Sequence, residues 1–171
     1  MAEFIVRRAG GMGVMHYFRV HARSAREIME TFADLQVVTD PATLARAGGW
    51  VEDEIDIDAL VLPAEFEELR AERDAQRGRP GFGALADRGI VYLRERDDDA
   101  DETMPETYLY ELGPDGYRLR QVELYGDGTS IRRTPEDWLF DAPIDLYAPE
   151  LAGQEITAAD FEAAWGAAGT P

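Results

Sequence analysis

The sequence predicts an α+β protein with a mostly antiparallel sheet, including a C-terminal meander, and helices packed on one face. Three observations predict it. The stretch from Tyr108 to Arg133, YLYELGPDGYRLRQVELYGDGTSIRR, alternates aromatic, aliphatic and charged residues through two glycine-bounded turns, the pattern of a three-stranded antiparallel meander. Segments 3–8 (EFIVRR) and 14–21 (VMHYFRVH) are β-branched and aromatic, a hairpin-like pair around Gly10, Gly11 and Gly13. Helix-start signatures stand at Ser24, Asp40 and Thr157.

At 171 residues the chain suits a single domain. A division into two lobes, 1–62 and 88–171, joined by a charged helix and loop at 63–87, is compatible with the pattern. The glycines after the first strand do not form a phosphate loop, because the next element reads as another strand and not as a helix N-terminus. Ser24 and Glu27 form a capping box, the Glu27 carboxylate reaching back to the Ser24 amide; Ile28, Met29, Phe32 and Leu35 then share one helical face. Asp40 as N-cap and Pro41 at the first helical position start a second helix, which Gly48 and Gly49 end.

Residues 50–62 read as a strand on which Glu52, Glu54, Asp56 and Asp58 alternate with Asp53, Ile55, Ile57 and Ala59. The helix from Pro63 to Arg77 has little apolar stripe beyond Phe66 and Leu69, which predicts a surface position. RGRP at 77–80 resembles the core of a minor-groove DNA hook, but a brief basic string in an acidic chain reads as a loop. IVYLRER at 90–96 is a further strand, and DDDADE at 97–102 a mobile connection. Past the meander, Thr134 and Pro135 open a short helix containing Trp138, Leu139 and Phe140. Thr157 and Asp160 cap a last helix, with Ile156 and Phe161 as a hydrophobic staple and Phe161, Ala164, Trp165 and Ala168 as the buried stripe.

Composition removes whole classes of chemistry. Cys is absent, so disulfides, thiolate zinc sites and a cysteine nucleophile are excluded. Lys is absent too, which excludes a Schiff base and a phosphate-loop lysine. Ser24 is used as a cap, and Ser130 lacks the surroundings of a hydrolase nucleophile. His16 and His21, five apart on a strand, point to opposite faces and do not share a metal. No cofactor is implied. The formal charge of −18 disfavours nucleic-acid phosphates and anionic membranes and favours a basic protein partner. With no long apolar run and an N-terminus, MAEFIVRRAGG, unlike a signal peptide, the expected location is the cytoplasm. The sequence does not fix an oligomeric state.

Two site readings follow. In the first, Glu52, Glu54, Asp56 and Asp58, with Asp97, Asp98, Asp99, Asp101 and Glu102, meet a basic partner; the competing view is an edge strand and a solvated loop kept soluble by charge. In the second, Arg94, Arg96, Arg118, Arg120, Arg132 and Arg133, among Tyr92, Tyr108, Tyr110, Tyr117 and Tyr125, form a face suited to an anionic ligand. Against it stands cross-strand pairing of these arginines with Glu95, Glu111, Glu123 and the acidic loop.

RQVELYGDG at 120–128, APIDLYAPEL at 142–151 and EITAADFEAAW at 155–165 together resemble a family of small, acidic bacterial domains of unknown function. Some such domains look like immunity proteins, which neutralise a toxin by binding it. The resemblance implies a non-enzymatic, protein-binding module and carries over no catalytic residues.

Overall fold

Phe4, Val6, Phe18, Val20 and Ala22 turn one row of side chains inward from two antiparallel strands, β1 (Ala2–Ala9) and β2 (Met15–Ala22), in the computed structural model of the chain. It describes residues 1–9, 14–138 and 142–171; the glycines at 10, 11 and 13 and the apolar pair Leu139 and Phe140 lie outside the described residues. The chain divides into two compact units, Met1–Pro80 and Gly81–Pro171, and each carries one four-stranded sheet.

In the first unit the strand order is β3-β1-β2-β4, with β3 (Gln36–Val37) and β4 (Val51–Asp56) at the two ends. β4 runs parallel to β2, a departure from the antiparallel pattern. The chain between them must cross over, and it does so through helix α1 (Ala25–Thr31), β3 and helix α2 (Pro41–Ala47). Ser24 accepts from the Glu27 amide, as the capping signature requires, but the Glu27 carboxylate reaches the Arg23 amide instead of the Ser24 amide. α1 ends at Thr31, short of Leu35. Phe32 is already extended, the Ala33 amide donates to the Leu69 carbonyl, and Asp34 takes a left-handed φ of 52°.

Helix α3 (Ala64–Arg77) belongs to the core of this unit and does not serve as a surface connector. Phe66 meets the rings of Phe18 and Phe32 edge-on, at 5.0 and 5.3 Å between centroids. Arg73, fully buried, donates to the Phe32 carbonyl at 3.0 Å and to Gln76 at 2.7 Å; Arg77 reaches the Glu30 carbonyl. These guanidiniums serve the C-terminal carbonyls of α1, which has no basic residue in its own last turn. Sequence periodicity missed the role of α3 because two of its buried positions, Arg73 and Gln76, are polar.

The second unit holds an antiparallel sheet in the order β5 (Val91–Arg96), β6 (Thr107–Leu112), β7 (Arg118–Leu124) and β8 (Ser130–Arg133). The meander is thus present, with IVYLRER added at its edge. Its turns rest on Gly116 and Gly128, both at positive φ. One face buries Val91, Leu93, Tyr110 and Leu112 against Leu85, Leu146 and Leu151 from the irregular segments. The other buries Leu109 and Val122 against Phe161 of helix α4 (Ala158–Ala167). Thr157 and Asp160 cap α4 reciprocally, and Ile156 packs with Phe161 in the same cluster. Thr134 to Asp137 form one 3-10 turn, after which Trp138 is extended.

α4 also crosses the sheet from edge to edge. Before it, the Arg94 amide donates to the Gln154 carbonyl and the Ile156 amide to the Tyr92 carbonyl, closing the β5 edge. After it, the Arg132 amide donates to the Gly169 carbonyl and the Gly169 amide to the Ser130 carbonyl, closing β8.

Candidate functional site

β4 is formed where Ile55 and Ile57 turn into the core and Glu52, Glu54 and Asp56 turn the other way, so the two-residue period places charge on one side of the strand. The predicted strand to residue 62 stops at Asp56. Asp58 lies in the turn beyond, where its amide donates to the Asp56 carboxylate at 3.0 Å and its own carboxylate receives Arg23 at 2.8 Å. Leu60 and Val61 follow, almost wholly exposed.

The histidines contribute what their spacing did not suggest. His16 Nδ1 lies 2.8 Å from Glu52, and His21 Nε2 lies 2.6 Å from Glu54. They sit five apart on β2, and each meets a different carboxylate. Arg19 adds ion pairs to Glu3 at 3.1 Å and, at 3.9 Å, to Glu54. Among the described residues no His, Asp and Glu group is arranged to hold a metal ion.

The tract at 97–102 is in the other unit and is a run of turns. The Asp97 carboxylate accepts from the Asp99 amide at 3.1 Å. Asp101 accepts from the Thr103 hydroxyl and amide, which hold its carboxyl below the usual range. Asp98 pairs with Arg96 at 2.8 Å, both highly exposed. Asp101 and Glu102, with Glu106 and Asp127, line a cleft of about 480 Å³.

The meander arginines do not converge. Alternation sends Arg94, Arg120 and Arg132 to the α4 face, while Arg133 lies with Gln121, Glu123 and Tyr125 on the other. Arg120 stands opposite Glu111 in the ladder and binds it through Nε and a terminal nitrogen; it also reaches Glu162 of α4, and its guanidinium lies 5.0 Å from the Phe161 ring and 4.9 Å from the Trp165 ring. Glu111 and Glu162, hydrogen-bonded to it, push the Arg120 pKa up. Arg132 covers Trp165 as well, at 5.6 Å. Arg133 donates to buried Glu123 at 2.7 Å. Arg118 stacks on Trp138 at 4.7 Å and donates to Gln121.

The tyrosines are similarly engaged. Burial, then its hydrogen bond to Glu95 at 2.7 Å, pushes the Tyr110 hydroxyl well above its ordinary pKa. Tyr108 stacks on Tyr110, and Tyr92 donates to Glu111 at 3.2 Å. Tyr117, half-buried, follows the turn, its amide donating to the Asp115 carboxylate. Arg94 lines a cleft of about 640 Å³ beside the start of α4, where Glu155 and Asp160 share the wall. That cleft has no net positive character.

The comparisons with known proteins find nothing. No family model, no curated protein and no solved structure matches the chain. Among the described residues no helix is long and apolar enough to cross a membrane. Sequence reasoning missed the histidine–glutamate pairs and the part Gln121 plays beside the Glu123–Arg133 pair; the latter had a legible signal, since Gln121 and Glu123 alternate with Val122 along a strand whose neighbour supplies Arg133.

Proposed function

We propose that the protein is a non-enzymatic, immunity-like binding module that presents the carboxylates of β4 and the following turn to a basic protein partner. One observation carries the reading. Among the described residues no strand pairs with the outer edge of β4, which bears Glu52, Asp53, Glu54 and Asp56, all exposed, whereas the second sheet has both edges covered by its own chain. Net charge of −18 supplies long-range attraction for such a partner. The resemblance of the C-terminal third to small bacterial immunity-like domains points the same way. The acidic turns at 97–102 are a second negative surface, on the other unit.

The anionic-ligand reading is the less favoured one, because Arg118, Arg120, Arg132 and Arg133 divide between two faces and are engaged with carboxylates and rings. To test the proposal, the immobilised chain is exposed to lysate of its source at low and high salt, beside a variant carrying Glu52→Gln, Glu54→Gln, Asp56→Asn and Asp58→Asn. A basic protein retained at low salt, released at high salt and not held by the variant supports it. Equal retention by both chains rejects it.

A further inference from the structure

Backbone direction, and not only side-chain charge, distinguishes β4. The Ile57 amide donates to the His21 carbonyl, so odd-numbered residues of β4 spend their backbone groups on β2 and even-numbered ones point away from the sheet. The Asp56 carbonyl is used by the Ala59 amide in the following turn. Left facing outward are the amide and carbonyl of Glu54 and the amide of Asp56, and among the described residues no strand pairs with them.

An edge guarded only for solubility carries charge, bulges or proline. This edge carries charge and a register shift, but it is also flanked by large apolar side chains: Trp50 before it, 55% exposed, and Leu60 and Val61 after it, 100% and 83% exposed. Apolar exposure at both ends of a charged strand is what a partner segment would cover. We infer that β4 accepts an added strand: an extended segment of the basic partner, with Arg or Lys at every second position toward Glu54 and Asp56 and apolar residues at its ends toward Trp50 and Leu60.

Charge selects this occupant. A second copy of the chain would set β4 against β4 and bring like carboxylates together across the new ladder, which opposes pairing. The inference rests on the proposed partner-binding role and adds the mode of docking.

The test uses the full chain, uniformly labelled, and a synthetic peptide alternating Arg and Val with a Leu at each end, at low salt. Amide hydrogen exchange is read residue by residue by NMR, and a second peptide of the same sequence is N-methylated at alternate residues to remove its donors while keeping its charge. Strand addition predicts that the first peptide slows exchange at Glu54 and Asp56 by about tenfold or more, as a new hydrogen bond does, and that the methylated peptide does not. If both peptides bind, shift the β4 resonances and leave those amides unprotected, strand addition is overturned while the carboxylate-binding role stands. If neither peptide binds, both fall. Protection that develops with protein concentration in the absence of peptide assigns the edge to a second copy and overturns the inference.

Discussion

Glu111 and Arg120 face each other directly across β6 and β7, and the guanidinium that binds the carboxylate also lies against the rings of Phe161 and Trp165. A cross-strand ion pair is thereby also the fastening of a helix to a sheet, since Glu162 of α4 takes two further guanidinium donors. An arginine so occupied is structural.

Arg120→Ala should therefore destabilise the second unit by about 3 kcal/mol, because it strands a largely buried Glu111 and uncovers two rings. Arg120→Lys should recover only part of this, the planar fork being lost. Denaturant unfolding followed by near-ultraviolet circular dichroism measures both. No change for Arg120→Ala would mean that α4 is held by its apolar stripe alone.

The two meander turns give a matched pair of substitutions. Gly128 has a φ of 86° with open space around its Cα, so Gly128→Ala should cost about 1 to 2 kcal/mol from backbone conformation alone. Gly116, at φ 80°, would place a Cβ into the Ile144 carbonyl, whose amide it already serves through its own carbonyl. Gly116→Ala should cost distinctly more. Thermal unfolding of the pair, with equal midpoints, would count against the turn geometry.

Alkaline pH should weaken the second unit. Burial first, then Glu95, raises the Tyr110 pKa; burial with Glu111 raises Tyr92, and burial with Glu123 raises Tyr108 and Tyr125. A raised folded pKa contributes stability that is full below the unfolded tyrosine value of about 10 and is lost as pH climbs from there toward the folded value. Ultraviolet titration of tyrosinate should show these residues ionising late, together with unfolding. Early, reversible ionisation of every tyrosine would contradict the burial.

On the acid side the sign reverses. Asp160, held low by Thr157, Asp40, held low by Thr43, and Glu162, held low by Arg120, have depressed folded values. Their contribution is present above the unfolded carboxyl values near 4 and is lost as pH falls through the folded ones. Helical circular dichroism followed downward from pH 5 should fall in that window.

Local features were legible in the sequence. The caps at Asp40 and Thr157, the glycines of the meander turns and the alternation of Ile55 and Ile57 with acidic neighbours are read from residues a few positions apart, and the physics that fixes them is equally local. What escaped was set by pairing at a distance. The parallel contact of β4 with β2, the closure of β5 and β8 by residues 154–156 and 169, and the burial of Arg73 under the end of α1 each depend on a partner more than 25 residues away. The pairing of meander arginines with Glu111 and Glu123 was legible from neighbouring strands, and it is present as Arg120–Glu111 and Arg133–Glu123. Spacing shows that Arg118, Arg120, Arg132 and Arg133 lie on neighbouring strands, but only the register and the position of α4 show that they point to two faces and that Arg132 covers Trp165.

The β4 carboxylates carry the functional account, and the most direct measurement compares partner retention by three chains at low salt: the native one, the Glu52→Gln, Glu54→Gln, Asp56→Asn, Asp58→Asn variant, and a variant neutralised instead at Asp97, Asp98, Asp99, Asp101 and Glu102. Folding of all three is checked by circular dichroism. The account predicts that the β4 variant loses at least about tenfold in affinity, roughly 1.4 kcal/mol, while the loop variant binds within a factor of a few of the native chain. Native-like affinity in the β4 variant, with the loss falling on the loop variant or on neither, would contradict it.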